Sequence, residues 1–421
     1  MSFPNSFVRI YWKEIIRTKA LNSVGYDLSA NHEYEQSCQY GIDSLKVAFE
    51  GMEKYVEDHP EDLAARKITD YYGRYFMIGE EPLFLTQEEL EEIVSEITMP
   101  LQEVMRLKKA SARDSVLAEF PAIIEQLLKT RGNIPWYFIH NPLTRQEWSV
   151  YAVHYGDVTN LLRKAYYGEN APNTLISYHN TGVYRMKLYE NERKGILTAG
   201  NREYDKEFQK CCEIFAQAYL LRVKYLKKRV ISKEDIDQYY RELEADIQID
   251  FGEQKFTEIY SIKQIERFCP KGENELDSVE GMDFLSEDVR KIITNLKDLI
   301  ECNVGALESL QYLSNAKYNV AICLGEVEER KKWLDEAIEI ADITVIIRSF
   351  AIGLRHRKTL ESIRYAAEYY YKAGKNDEAL KRIKFAVENS RSKEELEVPE
   401  EIINEYKKLL EEIKSSCNEL N

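Results

Sequence analysis

Residues 363–390 read IRYAAEYYYKAGKNDEALKRIKFAVENS, and their spacing decides the fold class. Ala367, Tyr370, Gly374, Ala379, Ile383 and Ala386 stand where small and apolar residues stand in two helices joined by a turn. Alanine has no side chain to hold helices apart, the tyrosine fills the gap between neighbouring hairpins, and Gly374 falls at the turn. Residues 314–341, SNAKYNVAICLGEVEERKKWLDEAIEIA, repeat part of this pattern. Gly325, Leu334 and Ala337 precede Gly374, Ile383 and Ala386 by one common step (374 − 325 = 49).

Together the two stretches resemble the tetratricopeptide repeat. The resemblance covers residues 314–390 and implies stacked helical hairpins with a concave face lined by first helices. Such a face implies a peptide or protein partner and not a catalytic pocket. Tyr365, Glu368, Tyr369 and Lys372 share the polar-aromatic side of the first helix and are the residues that would meet that partner. The chain departs from the family in three places. Arg330 stands where an alanine is expected, Tyr318 stands where a small residue is expected, and the step exceeds the family period of about 34. The extra residues, including Thr344–Arg357, must lengthen helices or add a turn.

Composition agrees with long helices. The chain has 421 residues, 44% hydrophobic and 31% charged, with only 18 Gly and 10 Pro. That balance is globular, and the scarcity of turn residues disfavours sheets and sandwiches. The 29 tyrosines call for half-buried sites that also give each hydroxyl a partner. A net charge of −15 disfavours sequence-blind binding of nucleic acid, which needs clustered Lys and Arg. Seven cysteines (38, 211, 212, 269, 302, 323 and 417) form no CxxC pair, so free thiols in a reducing cytoplasm are expected. The N-terminal apolar run is broken by charges, and no stretch is long and apolar enough to span a membrane.

Along the chain, residues 1–130 read as a helical region. Ile42, Leu45, Ala48, Phe49, Met52 and Tyr55 recur at steps of three and four, and Thr86 with Glu89 forms a capping box. Pro60, Pro100 and Pro121 mark helix starts or bends. Residues 131–200 carry nine Gly and Pro in seventy positions and read as a small mixed, loop-rich insertion. Strand-like pieces are expected there at Trp136–Ile139, Trp148–Val153 and Val183–Leu188. Long helices return over 201–268, an acidic linker follows at 269–285, and Ser286 with Asp288 opens a helical array that runs to a charged capping helix by 421.

Residues 131–200 also hold the only group of side chains suggestive of chemistry. His140, His154, Asp157 and His179 could act in acid–base catalysis, with Arg145 and Arg185 able to hold an anion. No metal-ligand or nucleophile spacing accompanies them. The sequence HYGD at 154–157 lacks the Asn of a small-molecule kinase loop, since Leu162 stands in its place. GxxxxGK, GxGxxG and HExxH are absent, as is the RxxxxH pattern of helical ribonucleases, so no cofactor and no metal are expected. Two basic runs, 106–113 and 222–229, and a shorter one at 355–358, could touch phosphate.

The expectation is a mainly α cytoplasmic protein: a helical N-terminal domain, a mixed insertion and a hairpin array that binds a peptide or protein as scaffold, adaptor or sensor subunit. The alternatives are an enzyme or effector with its site in 131–200, and a nucleic-acid-associated subunit using 222–229.

Overall fold

A computed structural model describes residues 12–78, 85–110, 119–140, 147–198, 202–225, 304–354, 356–390 and 398–419. The described residues are mainly helical and contain no strand. The chain divides into two compact units, Met1–Asn201 and Arg202–Asn421. The acidic stretch at 269–285 and the helix start at Ser286 lie outside the described residues.

The first unit holds α1 (Trp12–Ala30), α2 (Tyr34–Asp58), α3 (Leu63–Tyr71), α4 (Gln87–Ala110), α5 (Glu119–Ile139), α6 (Glu147–Tyr167) and α7 (Pro172–Arg193). Local signals start several of them. Asp62 accepts from the Ala65 amide at 2.9 Å to cap α3, so Pro60 sits in the turn before that helix. Thr86 and Glu89 exchange hydrogen bonds ahead of α4, as a capping box requires. Pro121 lies in the first turn of α5, and Pro100 lies inside α4. On α2, Leu45, Ala48, Met52 and Tyr55 form the buried stripe that its spacing predicts. That stripe packs against α1 and α5, and α6 lies among α4, α5 and α7.

The three expected strands do not form. Trp136–Ile139, Trp148–Val153 and Val183–Leu188 lie inside α5, α6 and α7, so the mixed insertion is helical and packs with the rest of its unit. Trp148, Ala152, Tyr155, Val158 and Leu162 are buried at steps of three and four, a helical period that a six-residue window cannot distinguish from a strand. Glycines read as loop punctuation serve close helix approach instead. A Cβ on Gly156 would stand 2.6 Å from the Tyr184 ring, and one on Gly132 would lie in the path of the Arg163 guanidinium.

The second unit holds α8 (Tyr204–Tyr225), α9 (Val304–Cys323), α10 (Val327–Ile352), α11 (Arg357–Lys372), α12 (Asn376–Asn389) and α13 (Glu400–Glu419). They pack in sequence order, α8 on α9, α9 on α10, α10 on α11, α11 on α12 and α12 on α13. The hairpin α11–α12 follows its alanine code: Ala366, Ala367, Ala379, Ile383 and Ala386 are fully buried, and Gly374 takes φ 73° at the turn. In the upstream hairpin, α10 absorbs the extra length by running 26 residues. Arg330, where an alanine was expected, ties the turn by donating twice to the Leu324 carbonyl (3.0 and 2.6 Å). These packed hairpins are compatible with a helical-repeat arrangement.

The two units also contain one three-helix arrangement twice. In the first, Arg163 on α6 donates to Ser177 Oγ (2.8 Å), the Asn173 carbonyl (3.3 Å) and the Leu128 carbonyl (2.9 Å). In the second, Arg348 on α10 donates to Ser362 Oγ (2.6 Å), the Lys358 carbonyl (3.0 Å) and the Leu307 carbonyl (3.5 Å). One step (348 − 163 = 185) carries Arg163, Asn173 and Ser177 onto Arg348, Lys358 and Ser362. The same step carries Trp148, Asp157, Thr159, Gly168 and Thr174 onto Trp333, Asp342, Thr344, Gly353 and Thr359. The equivalent bonds follow. Thr174 and Thr359 each donate to the carbonyl of the preceding glycine at 2.8 Å, and those glycines take φ 93° and 95°. On α5 and α9 the step is slightly shorter (307 − 128 = 179). The sets α5–α6–α7 and α9–α10–α11 are therefore two copies of one module.

Candidate functional site

The four candidate partner-binding residues lie along α11, and α9 supplies their neighbours. Tyr369 is buried, and its hydroxyl donates to Asn315 Oδ1 at 2.6 Å. Its ring stacks on Tyr318 at 4.5 Å and on half-buried Tyr365 at 6.4 Å. Tyr318 donates to Glu368 at 3.2 Å, and Arg364 pairs with the other Glu368 oxygen at 3.2 Å. Gln311 donates to Asn315 Oδ1 at 2.9 Å, and Asn319 donates to the Asn315 carbonyl at 3.0 Å. Lys372 is exposed on the last turn, its ammonium 5.3 Å from the Tyr371 ring.

Three of the predicted residues, Tyr365, Glu368 and Tyr369, thus form one face with Gln311, Asn315 and Tyr318. Sequence reasoning missed the α9 half. Gln311, Asn315 and Asn319 recur every four residues, so the signal was a row of carboxamides on one helix face. Carboxamides carry both donor and acceptor, the complement of a peptide backbone. Gln311 Oε1 is buried and accepts no hydrogen bond. Burial, reinforced by the Glu368 carboxylate, pushes the Tyr369 phenol well above its ordinary range, so it stays a neutral donor.

The four candidate catalytic residues occupy the first copy. His140, just past α5, donates from Nδ1 to the Trp136 carbonyl at 2.8 Å and lies against the rings of Trp136 (4.1 Å) and Tyr34 (5.4 Å). Burial lowers its pKa to about 4, and Lys187 and His32 push the same way, so it is neutral near pH 7. Asp157 is held by both Nη atoms of Arg185 at 2.8 and 2.7 Å. His154 is half-buried with its ring beside Tyr155, and His179 is buried on α7.

The module explains the Asp157–Arg185 pair. One repeat step further on, Asp342 accepts from the Tyr370 hydroxyl at 2.7 Å, and Arg382 of α12 lies 3.3 Å away. In each copy an aspartate on the middle helix grips the same position of the third helix. This is a cross-tie between helices, and it occupies the carboxylate that acid–base chemistry would need. Among the described residues no group of three or more His, Cys, Asp and Glu is arranged to hold a metal ion.

Of the basic run at 222–229, Arg222 is buried and donates to Ser309 Oγ (2.9 Å) and to the Gly305 carbonyl, while 226–229 lie outside the described residues. Residues 111–113 of the run at 106–113, Arg145 and Arg355 lie outside them as well. No helix among the described residues is long and apolar enough to cross a membrane. No protein-family model, curated protein or solved structure matches the chain.

Proposed function

We propose that the chain is a tetratricopeptide-like binding protein, a scaffold, adaptor or sensor subunit, that takes a peptide or partner protein on the face shared by α9 and α11. One observation supports this most: beneath half-buried Tyr365 and Glu368 the second copy lays a buried row of carboxamides and stacked tyrosines, where the first copy has Gly132, Trp136 and, just past the helix, His140. The frameworks are alike and the faces differ, as they would if only one face had been shaped for a ligand. The reading places the protein in the cytoplasm, where seven cysteines without a CxxC pair would stay reduced.

The test is affinity capture of the full-length chain from cells of its own source, followed by quantitative mass spectrometry. A Tyr365→Ala/Lys372→Ala variant with unchanged melting temperature is expected to lose the partners, while His154→Ala keeps them. Capture that is indifferent to Tyr365 and Lys372 but abolished by His154→Ala would move the site to the first unit.

A further inference from the structure

Where the two copies correspond most closely, the chemistry of their cores is opposite. In the first copy Phe138 of α5 packs on Trp148 (5.1 Å between ring centres) and on Tyr151 (6.4 Å) of α6. The same positions of the second copy hold Lys317, Trp333 and Glu336. There the Lys317 ammonium stands 4.5 Å from the Trp333 ring centre and 2.7 Å from Glu336 Oε2. The ion pair is 5% and 2% exposed. The first copy fills the equivalent positions with aromatic rings, of which Phe138 and Trp148 are buried and Tyr151 is half-buried. Well-packed apolar residues commonly match or exceed a buried ion pair in stability, so stability is a weak account of these charges.

A chain carrying two copies of one module has a folding problem that a chain with one copy lacks. Each first helix can meet either middle helix. The arginine clasp does not discriminate, because Arg163 and Arg348 grip backbone carbonyls and a serine that both copies supply. The charges do. Pairing α5 with α10 would set Phe138 against Glu336 and bury a carboxylate without its cation. Pairing α9 with α6 would set Lys317 against Tyr151 and bury an ammonium without its anion. Each orphaned charge disfavours the exchange on the order of several-hundred-fold. Gly132 adds a steric bar to the second exchange alone. Its equivalent on α9 is Gln311, whose Cβ would meet Arg163. Against α5 on α10 the charge acts without that steric bar.

We infer that the buried Lys317–Glu336 pair is a pairing code that makes α9 accept α10 and α5 accept α6 when the two copies fold on one chain. What matters is that the copies differ, not which copy carries the charge.

The test is refolding of the full chain from denaturant, with native monomer separated by size-exclusion chromatography and its melting temperature measured. A Lys317→Phe/Glu336→Tyr variant makes the two cores alike. Its yield of native monomer is expected to fall about threefold or more in favour of misfolded and oligomeric species. Any native monomer it forms should melt at or above the wild-type temperature. Adding Phe138→Lys/Tyr151→Glu moves the pair to the first copy and is expected to restore the yield. The inference is overturned if the first variant refolds at the wild-type yield, if its native monomer melts well below wild type, or if moving the pair leaves the yield low.

Discussion

Arg163 and Arg348 occupy one place in two copies of a module: each reaches a serine hydroxyl on the third helix, Ser177 at 2.8 Å and Ser362 at 2.6 Å. Among the described residues neither pairs with a carboxylate. Burial lowers the pKa of both guanidinium groups, and the carbonyls around them supply the partial negative charge that stabilises them. Truncation at either site removes these cross-helix hydrogen bonds and leaves a cavity, while Ser177 and Ser362 keep their own bonds to the Asn173 and Lys358 carbonyls at 3.1 and 3.0 Å. Arg163→Ala and Arg348→Ala should each cost about 3 kcal/mol, with faster amide exchange confined to the unit that holds the residue. Lysine should not rescue either, because one ammonium cannot span helices in three directions. Exchange that accelerates equally in both units after one substitution would contradict the modular reading.

Gly168 and Gly353 end the middle helices with φ 93° and 95°. Each feeds its carbonyl to the threonine that opens the next helix. Alanine at either glycine should cost about 1 kcal/mol from backbone strain, read as a lower melting temperature. Thr359→Val removes the donor to Gly353 and should cost a similar amount, with little added effect in the Gly353→Ala background.

Tyr369→Phe removes the donor to Asn315 and keeps the ring stack on Tyr318. Gln311 still donates to the same oxygen, so the loss should be about 1 kcal/mol. Tyr369→Ala also empties the stack and should cost about 4 kcal/mol. The gap between the two, measured by denaturant unfolding, separates packing from hydrogen bonding on the proposed binding face.

His140 predicts a pH effect of definite sign. The folded imidazole titrates near 4, below the ordinary value of 6.5. Between those values the unfolded chain binds a proton that the folded chain refuses. The contribution of neutral His140 is therefore complete above about pH 6.5 and declines as the pH falls towards 4, by up to about 2 kcal/mol for this half-buried ring. His140→Phe keeps the stack against Trp136 and Tyr34 and should flatten the stability profile across that window. A profile unchanged by the substitution would mean that other groups set the acid sensitivity.

Much of the second unit was legible because its signals are local. The alanines at 367, 379 and 386 and the turn at Gly374 act within a few residues, as the capping box at Thr86 does in the first unit, and the structure repeats them. The first unit was misread where residue type and period disagreed. Trp148 to Val153 has the aromatic and branched content of a strand, yet it is buried with a helical step because α5 and α7 cover it on both sides. The strongest repeat also escaped a search at short periods. Its marks, Trp, Asp, Thr, Arg and Gly, are single residues separated by 185 positions, and only the hydrogen bonds of Arg163 and Arg348 reveal that they do the same work. The α9 half of the candidate face was hidden for another reason. Gln311 and Asn315 look like surface residues until the packing buries them.

Hydrogen exchange on the full-length chain, alone and with a co-purified partner, tests the binding face most directly. The account predicts added protection concentrated in 304–323 and 357–372, lost when Tyr365→Ala/Lys372→Ala is used. Protection confined to 119–193, with the α9 and α11 peptides unchanged, would contradict it.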